Sequence, residues 1–227
     1  ENRAAFPPRR IGRFWVYGGH VEAPPPPASR PLLVEAAQAF GSGTHPTTEG
    51  CLRAGEAIMR RDGRRLWRVL DMGCGSAILG LGLLRARPGS RLIAADNDSL
   101  AVRTAAENAR INRLPGRRVR AVLSQGYADP AVRRAAPFDL IFANILAGPL
   151  CGMARDQMAA LGPKGWLILS GILNRQAVMV ERRYAAAGAR VTARLHIGDW
   201  TTLVLRPARL GRLPGLWHPR EAETAEL

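Results

Sequence analysis

Residues 69–77 read VLDMGCGSA, a run that passes from an apolar segment through two glycines into a segment with helical periodicity. This order predicts a strand, a tight turn and the start of a helix. Glycines in such a turn let a ligand approach the main chain, and the free N–H groups of the helix start attract its polar atoms. Asp96 closes the next predicted strand, 23 residues after Gly73, where a carboxylate can accept hydrogen bonds from ribose hydroxyls. The stretch therefore predicts a site for a nucleotide-like cofactor.

The spacing of the glycines distinguishes between cofactors. A dinucleotide site has the pattern GxGxxG, whose third glycine falls at position 78, and this chain has Ile78 there. That departure argues against NAD and FAD. Asp71, two residues before Gly73 and followed by Gly75, fits a site for S-adenosyl-L-methionine instead. The alternative is a turn that only connects strand to helix, and the presence of both acids, Asp71 and Asp96, disfavours it.

From about residue 45 the chain alternates apolar runs with helical patterns. This alternation predicts βαβ units and a doubly wound α/β fold with a mostly parallel sheet of seven strands. Pro46 suits the first turn of a helix that extends to about Arg60, with Thr44 or His45 as its N-cap. Residues 162–165, GPKG, predict a turn. The predicted strands are residues 67–72, 91–96, 119–123, 138–143, 166–170, 190–196 and 201–205.

The composition divides the chain into three predicted parts. Residues 1–31 form a Pro- and Arg-rich lead-in with one short strand at residues 11–17. Residues 32–206 form the cofactor-binding domain. Residues 207–227 hold Pro, Gly and charge with little periodicity, which predicts a flexible tail. The chain begins with Glu1 and not with Met, so we expect a fragment of a longer protein or a trimmed chain.

The size and composition exclude several classes of protein. The chain has 227 residues, and 47% of them are hydrophobic, which suffices for one α/β domain. There is no apolar stretch long enough to cross a membrane, and no signal peptide pattern opens the chain. The three cysteines and four histidines show no metal-ligand spacing, so we predict no metal site. A cytoplasmic protein without an obligate partner chain fits these features best.

The net charge of +15 raises the possibility of a nucleic-acid partner. Lys164 is the only lysine, and the arginines are scattered along the chain with few aromatic residues between them. A biased genome explains such a composition as well as a binding surface does. The order of residues therefore allows direct nucleic-acid binding but does not favour it.

Two further motifs carry polar groups to predicted element ends. Residues 39–48 read AFGSGTHPTT, a flexible loop with hydroxyls that can close over a small polar ligand at a helix start. Residues 138–146 read FDLIFANIL and put Asn144 at the carboxyl end of a buried strand. Ligands of open α/β sheets bind at that edge. The alternatives are a capped helix with a glycine hinge for the loop and a turn-forming Asn for the strand end.

Taken together, these motifs resemble the ribosomal protein L11 methyltransferase family (PrmA). The family motifs AFGTGTHPTT, DxGCGSGIL, ANILAGPL and LSGIL are similar to residues 39–48, 71–79, 143–150 and 169–173, with Ser42 and Ala77 as departures. The resemblance implies a class I S-adenosylmethionine-dependent methyltransferase fold and cofactor contacts at Thr48, Gly73, Asp96 and Asn144. It also implies methylation of lysines and an N-terminal amine on a protein of the large ribosomal subunit. The family's separate substrate-binding N-terminal domain has no counterpart before the loop motif, so we expect it to be absent.

The residues also limit the mechanism. An amine must lose its proton before it attacks a methyl group, and no compelling general base stands out in the sequence. Asn144 is expected to position the cofactor or the amine, while His45 more often has a structural role at a helix start. Two rivals remain open. One is a nucleic-acid methyltransferase, although Ile145 and Leu146 follow the Asn where such enzymes commonly have two prolines and an aromatic. The other is a cofactor-binding fragment that is inactive without its missing domain.

Overall fold

The computed structural model describes residues 7–35, 45–114 and 116–208, which form two β-sheets and six α-helices. The predicted tail from residue 209 onward and most of the glycine-rich loop, residues 39–44, lie outside the described residues. The strands are β1 Arg9–Ile11, β2 Phe14–Tyr17, β3 Arg30–Leu33, β4 Arg68–Met72, β5 Arg91–Asp96, β6 Val119–Leu123, β7 Phe138–Asn144, β8 Leu161–Leu173, β9 Ala189–Ile197 and β10 Trp200–Pro207. The helices are α1 Pro46–Asp62, α2 Ile78–Ala86, α3 Ser99–Ile111, α4 Pro130–Ala135, α5 Ala147–Ala160 and α6 Ala177–Ala186.

The large sheet confirms the predicted fold. Its seven strands lie in the order β6-β5-β4-β7-β8-β10-β9. The first five are parallel, and β10 pairs antiparallel with both β8 and β9. The chain proceeds outward from β4 to β6 and then crosses back to β7 on the other side of β4. Loops that follow neighbouring strands diverge at this reversal and open a crevice at the carboxyl edge of the sheet.

Two apolar clusters cover the two faces of the sheet. One includes Leu52 of α1, Leu81 of α2 and Ala105 of α3, and the other includes Leu150 of α5 and Val180 of α6. Helices on both faces make a doubly wound domain and leave the ends of the strands for function. The sequence reading missed α4, a helix of six residues that Asp129 caps from its N-terminus. None of the described helices is long and apolar enough to cross a membrane.

The lead-in contains a small sheet and not the single strand that we predicted. Gly12 has a φ of +56° and turns the chain between β1 and β2, which pair antiparallel, while β3 pairs parallel with β2. β3 spans the predicted boundary between residues 31 and 32, where we divided the lead-in from the domain. Phe14 and Leu32 are fully buried in the cluster that α1 and α2 share. The side chain of Asn112, at the end of α3, also bonds the backbone of Leu33.

The predicted turn at residues 162–165 does not interrupt the sheet, so that prediction is wrong. β8 runs without a break from Leu161, but its pairing with β7 shifts between Phe138, which faces Leu161, and Leu140, which faces Trp166. The four residues therefore form a bulge in a continuous strand. A Cβ on Gly165 would lie 2.9 Å from the carbonyl oxygen of Phe138, which is why glycine is needed here. The glycines mark a bulge against the neighbouring strand.

Candidate cofactor and active site

The crevice at the carboxyl edge is a cleft of about 1740 Å³. Its walls come from the loops that follow β4, β5, β6 and β7 and from the first turn of α1. The structure brings together every residue that the sequence predicted for the site, although they come from four separate segments of the chain. The six that line the cleft are Thr48, Asp71, Gly73, Gly75, Asp96 and Asn144. Their shared position makes one binding site possible; the role of each in holding a ligand stays a prediction.

The turn between β4 and α2 forms the floor of the cleft. Gly73 and Gly75 have φ angles of +66° and +52°, which side chains other than glycine disfavour. The N–H of Gly73 donates to the carbonyl oxygen of Ala95 on β5 at 2.8 Å and ties the turn to the next strand. A Cβ on Gly73 would lie 2.4 Å from Cγ2 of Ile145, which follows β7. The glycine therefore allows the loops after β4 and β7 to approach each other directly below the cleft.

Asp96 presents an oriented carboxylate at the end of β5. Its Oδ2 accepts the N–H of Gly75 at 2.9 Å, and its Oδ1 accepts the N–H of Asp98 at 3.0 Å. Each oxygen keeps lone pairs that these two backbone donors do not use. A diol such as the two hydroxyls of a ribose can donate to them. The geometry therefore suits the role that the spacing to Gly73 predicted.

Asp71 is buried, with 1% of its surface exposed, and supports the turn from behind. Its Oδ2 accepts the N–H of Gly80 in the first turn of α2 at 2.9 Å, whereas Ala77, at the N-cap position, makes no side-chain cap. Burial raises the pKa of Asp71 to about 7, the hydrogen bond from Gly80 lowers it, and the nearby Asp96 raises it further. Asp71 thus replaces the missing helix cap at a cost in desolvation.

Asn144 lies at the end of β7, opposite Ser170 of β8. It is partly exposed in the cleft, and its side-chain amide makes no hydrogen bond to any of the described residues. The apolar side chains of Ile145 and Leu146 follow it, and Leu146 is 69% exposed. This part of the cleft thus combines a free amide with an apolar rim.

His45 and Trp200 also line the cleft. His45 is the N-cap of α1, and its Nδ1 accepts the N–H of Thr47 at 3.3 Å and lies 2.8 Å from the hydroxyl of Thr47. Its ring meets that of Trp200 edge-on with centroids 4.8 Å apart, and partial burial lowers the pKa of His45. Because Nδ1 accepts a backbone N–H, the proton of the neutral ring lies on Nε2. His45 thus offers a donor to its surroundings and lacks a free basic nitrogen.

Sequence reasoning missed part of the lining. The loop after β6 contributes Ser124, Gln125, Gly126 and Tyr127 to the lining. Within this loop, the hydroxyl of Ser124 donates to the carbonyl oxygen of Gly126 at 2.7 Å. The loop carries no glycine motif, and its one acid, Asp129, caps α4 and does not line the cleft, so only the parallel arrangement of β6 with β5 could have indicated it. Trp200 lies at the start of β10. Because β10 is antiparallel to its neighbour β8, this start lies at the carboxyl edge of the parallel strands, where the cleft is. Among the described residues, no cluster of side chains could hold a metal ion.

Comparisons with known proteins agree with this architecture. Residues 1–208 match the family model described as ribosomal protein L11 methyltransferase (PrmA). A ribosomal protein L11 methyltransferase from Caulobacter sp. (strain K31) is 42% identical over 204 residues, which are 89% of this chain and 68% of that protein. Another from Chelativorans sp. (strain BNC1) is 41% identical over 87% of this chain and 67% of its own length. The chain thus spans about two thirds of the length of these curated relatives.

Solved structures support the fold. The crystal structure of a ribosomal protein L11 methylase from Lactobacillus delbrueckii subsp. bulgaricus has a TM-score of 0.76 at 23% identity and covers 88% of this chain and 98% of its own. A precorrin-6y C5,15-methyltransferase from Geobacter metallireducens has a TM-score of 0.54 at 14% identity, over 68% of this chain and 87% of its own. Methyltransferases of different substrates thus share this sheet order, which is the class I, Rossmann-like arrangement.

Proposed function

The chain belongs to the PrmA family of ribosomal protein L11 methyltransferases, and we propose that it transfers methyl groups from S-adenosyl-L-methionine to amino groups of ribosomal protein L11. Lysine side chains, and an N-terminal amine, are the proposed acceptors. The observation that carries the proposal is the meeting of six residues from four separate segments of the chain in one cleft. Methyltransferase activity follows from the family; the cofactor, the amines and the protein substrate are the proposed part.

The cleft offers suitable groups for each part of this cofactor. The carboxylate of Asp96 would hold the ribose hydroxyls, and the loop from Ser124 to Gly126 would border the base. Gly73 and Gly75 line the cleft and would present main-chain atoms to the ligand, because neither carries a side chain. Thr48, in the first turn of α1, would contact the remaining end. When bound, S-adenosylmethionine supplies a methyl group already activated by its positively charged sulfur.

The protein's own work is to present a neutral amine in line with that methyl group. A lysine amine has an ordinary pKa of about 10.4, so it enters mostly protonated. The apolar rim at Ile145, Leu146 and Trp200 disfavours the charged form and lowers the pKa of the amine. The Oδ1 of Asn144 can accept an N–H of the neutral amine and fix the direction of its lone pair. The released proton passes to water, since His45 has no free basic nitrogen.

The test is methyl transfer to purified L11 by the purified chain, followed by mass spectrometry of the intact substrate and its peptides. We expect mass increments of whole methyl groups on lysine-containing peptides and on the N-terminal peptide. An Asp96→Ala variant should lose most of its cofactor affinity in calorimetry, and an Asn144→Ala variant should lose turnover with a smaller change in affinity. Glu22→Gln, a charge change at an exposed site outside the cleft, serves as the control.

The outcomes separate this proposal from its rivals. Cofactor binding without any methyl transfer to L11 would contradict the proposed substrate and favour the view that this part of the protein needs another domain. Methyl transfer to RNA in a fractionated lysate, without transfer to protein, would favour a nucleic-acid methyltransferase. Unchanged cofactor affinity in Asp96→Ala would refute the assignment of the cleft.

A further inference from the structure

The arginines that are scattered along the sequence lie together in the fold. In a doubly wound sheet, every connection from a helix back to a parallel strand lies at the amino edge, opposite the cofactor cleft. The connection from α1 to β4 holds Arg64, Arg65 and Arg68, and all three are exposed. The remaining exposed basic residues of this edge are Arg91 after α2, Arg113 and Arg117 after α3, Arg134 in α4 and Lys164 in the bulge of β8.

These cations lack acidic partners. Among the described residues, the ion pairs join Glu49, Glu56, Glu107 and Glu181 to arginines, and none includes an exposed arginine of the connections from helix to strand. Two acids lie near the edge, and protein groups already engage both of them. Asp62 accepts the indole N–H of Trp166 at 3.1 Å, and Asp139 accepts the backbone N–H groups of Trp67 and Arg68 at 2.9 Å. The edge therefore carries a net positive charge, with eight exposed cations against these two acids.

An exposed tryptophan lies within this surface. Trp67 precedes β4, and 55% of its surface is exposed, although tryptophan is normally buried to a large extent. The guanidinium of Arg87 lies 5.8 Å from the centre of its ring, and Gly89 packs so closely that a Cβ there would lie 2.8 Å from the indole. The ring is thus held in place by its neighbours while much of it faces solvent. A fixed aromatic ring among cations is the arrangement on which unpaired nucleic-acid bases stack.

The helix dipole explains only part of this pattern. Cations at the last turn of a helix are favourable in any protein, which accounts for Arg134 in α4. Arg64 and Arg65 lie after α1 in a short 3₁₀ turn, Arg91 opens β5, and Arg117 lies in a loop, so none of them stands in the last turn of an α-helix. Their accumulation at an edge with few acids therefore requires another explanation.

We infer that the amino edge of the sheet is a docking surface for single-stranded RNA. The unpaired arginines would contact phosphates, and Trp67 would stack on a base. The choice of RNA over DNA rests on the proposed function, because a ribosomal protein substrate is assembled with RNA. The strands of the sheet separate this edge from the cofactor cleft by about 20 Å, so bound RNA would leave the cleft open.

The test measures binding of the full chain to a fluorescent single-stranded RNA by anisotropy, over a series of salt concentrations. We expect the affinity of the R64Q/R65Q/R68Q variant to fall about tenfold or more at low salt. The slope of log affinity against log salt should fall by about 2, since each lost phosphate contact of a single strand contributes about 0.7. The matched control removes the same charge elsewhere, from Arg155, Arg175 and Arg182, which are exposed and outside the edge.

Trp67 separates RNA binding from attraction between charges alone. The Trp67→Ala variant should lose about fivefold or more in affinity for RNA with an unchanged salt slope, and Trp67→Phe should recover part of it. Equal losses in the control triple variant would overturn the inference. Competition by polyglutamate as strong as by RNA, or binding of matched single-stranded DNA as tight as that of RNA, would also overturn it.

A separate readout distinguishes this inference from the proposed function. The R64Q/R65Q/R68Q variant should methylate free L11 at the rate of the unmodified chain, because the substitutions lie at the opposite edge from the cleft. Failure of the unmodified chain to methylate L11 would refute the proposed function while the RNA measurements stand. Failure to bind RNA, with methyl transfer intact, would refute only the docking surface.

Discussion

Replacing Asp71 by Asn should remove a fall in stability that the unmodified chain shows as pH rises. The buried carboxyl group has a pKa of about 7 in the folded protein, against an ordinary value of 3.8. Between these two values the folded chain binds a proton that the unfolded chain has lost. Stability therefore falls as pH rises through this interval and levels off above the folded pKa. Asn cannot ionise, so it removes this contribution and keeps an oxygen for the N–H of Gly80.

The magnitude follows from the shift. A difference of about three pKa units corresponds to about 4 kcal/mol at 1.36 kcal/mol per unit, which is an upper limit because water and small movements screen a buried charge. Below about pH 3.8 the variant should be about as stable as the unmodified chain, since Asp71 is then protonated in both the folded and the unfolded state. Near pH 5 the variant should already be more stable by about 1–2 kcal/mol, because only the unfolded Asp71 has lost its proton. Near pH 8 the variant should be the more stable of the two, by up to that amount.

Urea unfolding of both proteins at several pH values between 5 and 8 measures this difference directly. Asp98→Asn provides the control, because Asp98 caps α3 and Asp and Asn cap helices about equally well. Its effect should be small at every pH. A variant at position 71 that is destabilised equally at both ends of the pH range would show that the buried carboxyl group does not titrate in the interval, and the reasoning would fail.

Two further predictions concern packing at the ends of the sheet. Gly73→Ala should destabilise the protein by about 1–2 kcal/mol through its left-handed backbone and should also weaken cofactor binding by displacing Ile145. Gly148→Ala, in α5 with open space around it, should raise stability by up to about 1 kcal/mol in melting experiments and leave cofactor binding unchanged in calorimetry. Arg118→Ala should cost about 2 kcal/mol in urea unfolding, because its guanidinium bonds the carbonyl oxygens of Leu84, Arg87 and Ser90. The exposed neighbour Arg117→Ala should change stability by less than about 0.5 kcal/mol, and an equal loss in both would contradict this account.

The sequence predicted the large sheet well because the signals of its elements are local. Apolar runs mark β4 to β7 and the central part of β8, and Pro46 marks a helix start in agreement with the observed cap at His45. The site residues that the sequence predicted also lie around one cleft, since all of them end parallel strands, follow them or begin a helix at the same edge. Their roles stay predictions. The relation between motif and position is physical: parallel strands place their carboxyl ends side by side.

The failures arose where distant contacts decide the local structure. The bulge at residues 162–165 carries the composition of a turn, yet its glycines serve a close approach to β7. The β1–β2 hairpin was read as one strand because only Gly12 interrupts the apolar alternation, and its strands are held by burial against α1 and α2. The loop after β6 was missed as part of the cleft because no motif of its own indicates a site. It lines the cleft only because β6 lies beside β5 in the sheet. In each case the information lies in a partner that is remote in sequence.

Ala77 shows how a strained residue is tolerated in the turn. It has a φ of +59°, a conformation that costs a residue with a Cβ about 1–2 kcal/mol, and the family motif has glycine at this position. Ala77 is fully buried, and its methyl group contributes about 0.8 kcal/mol by leaving water. Alanine also restricts the unfolded chain more than glycine does, which contributes about 0.4–1 kcal/mol. The gains and the cost are similar in size, so the substitution leaves the turn between β4 and α2 in the geometry that the cleft requires.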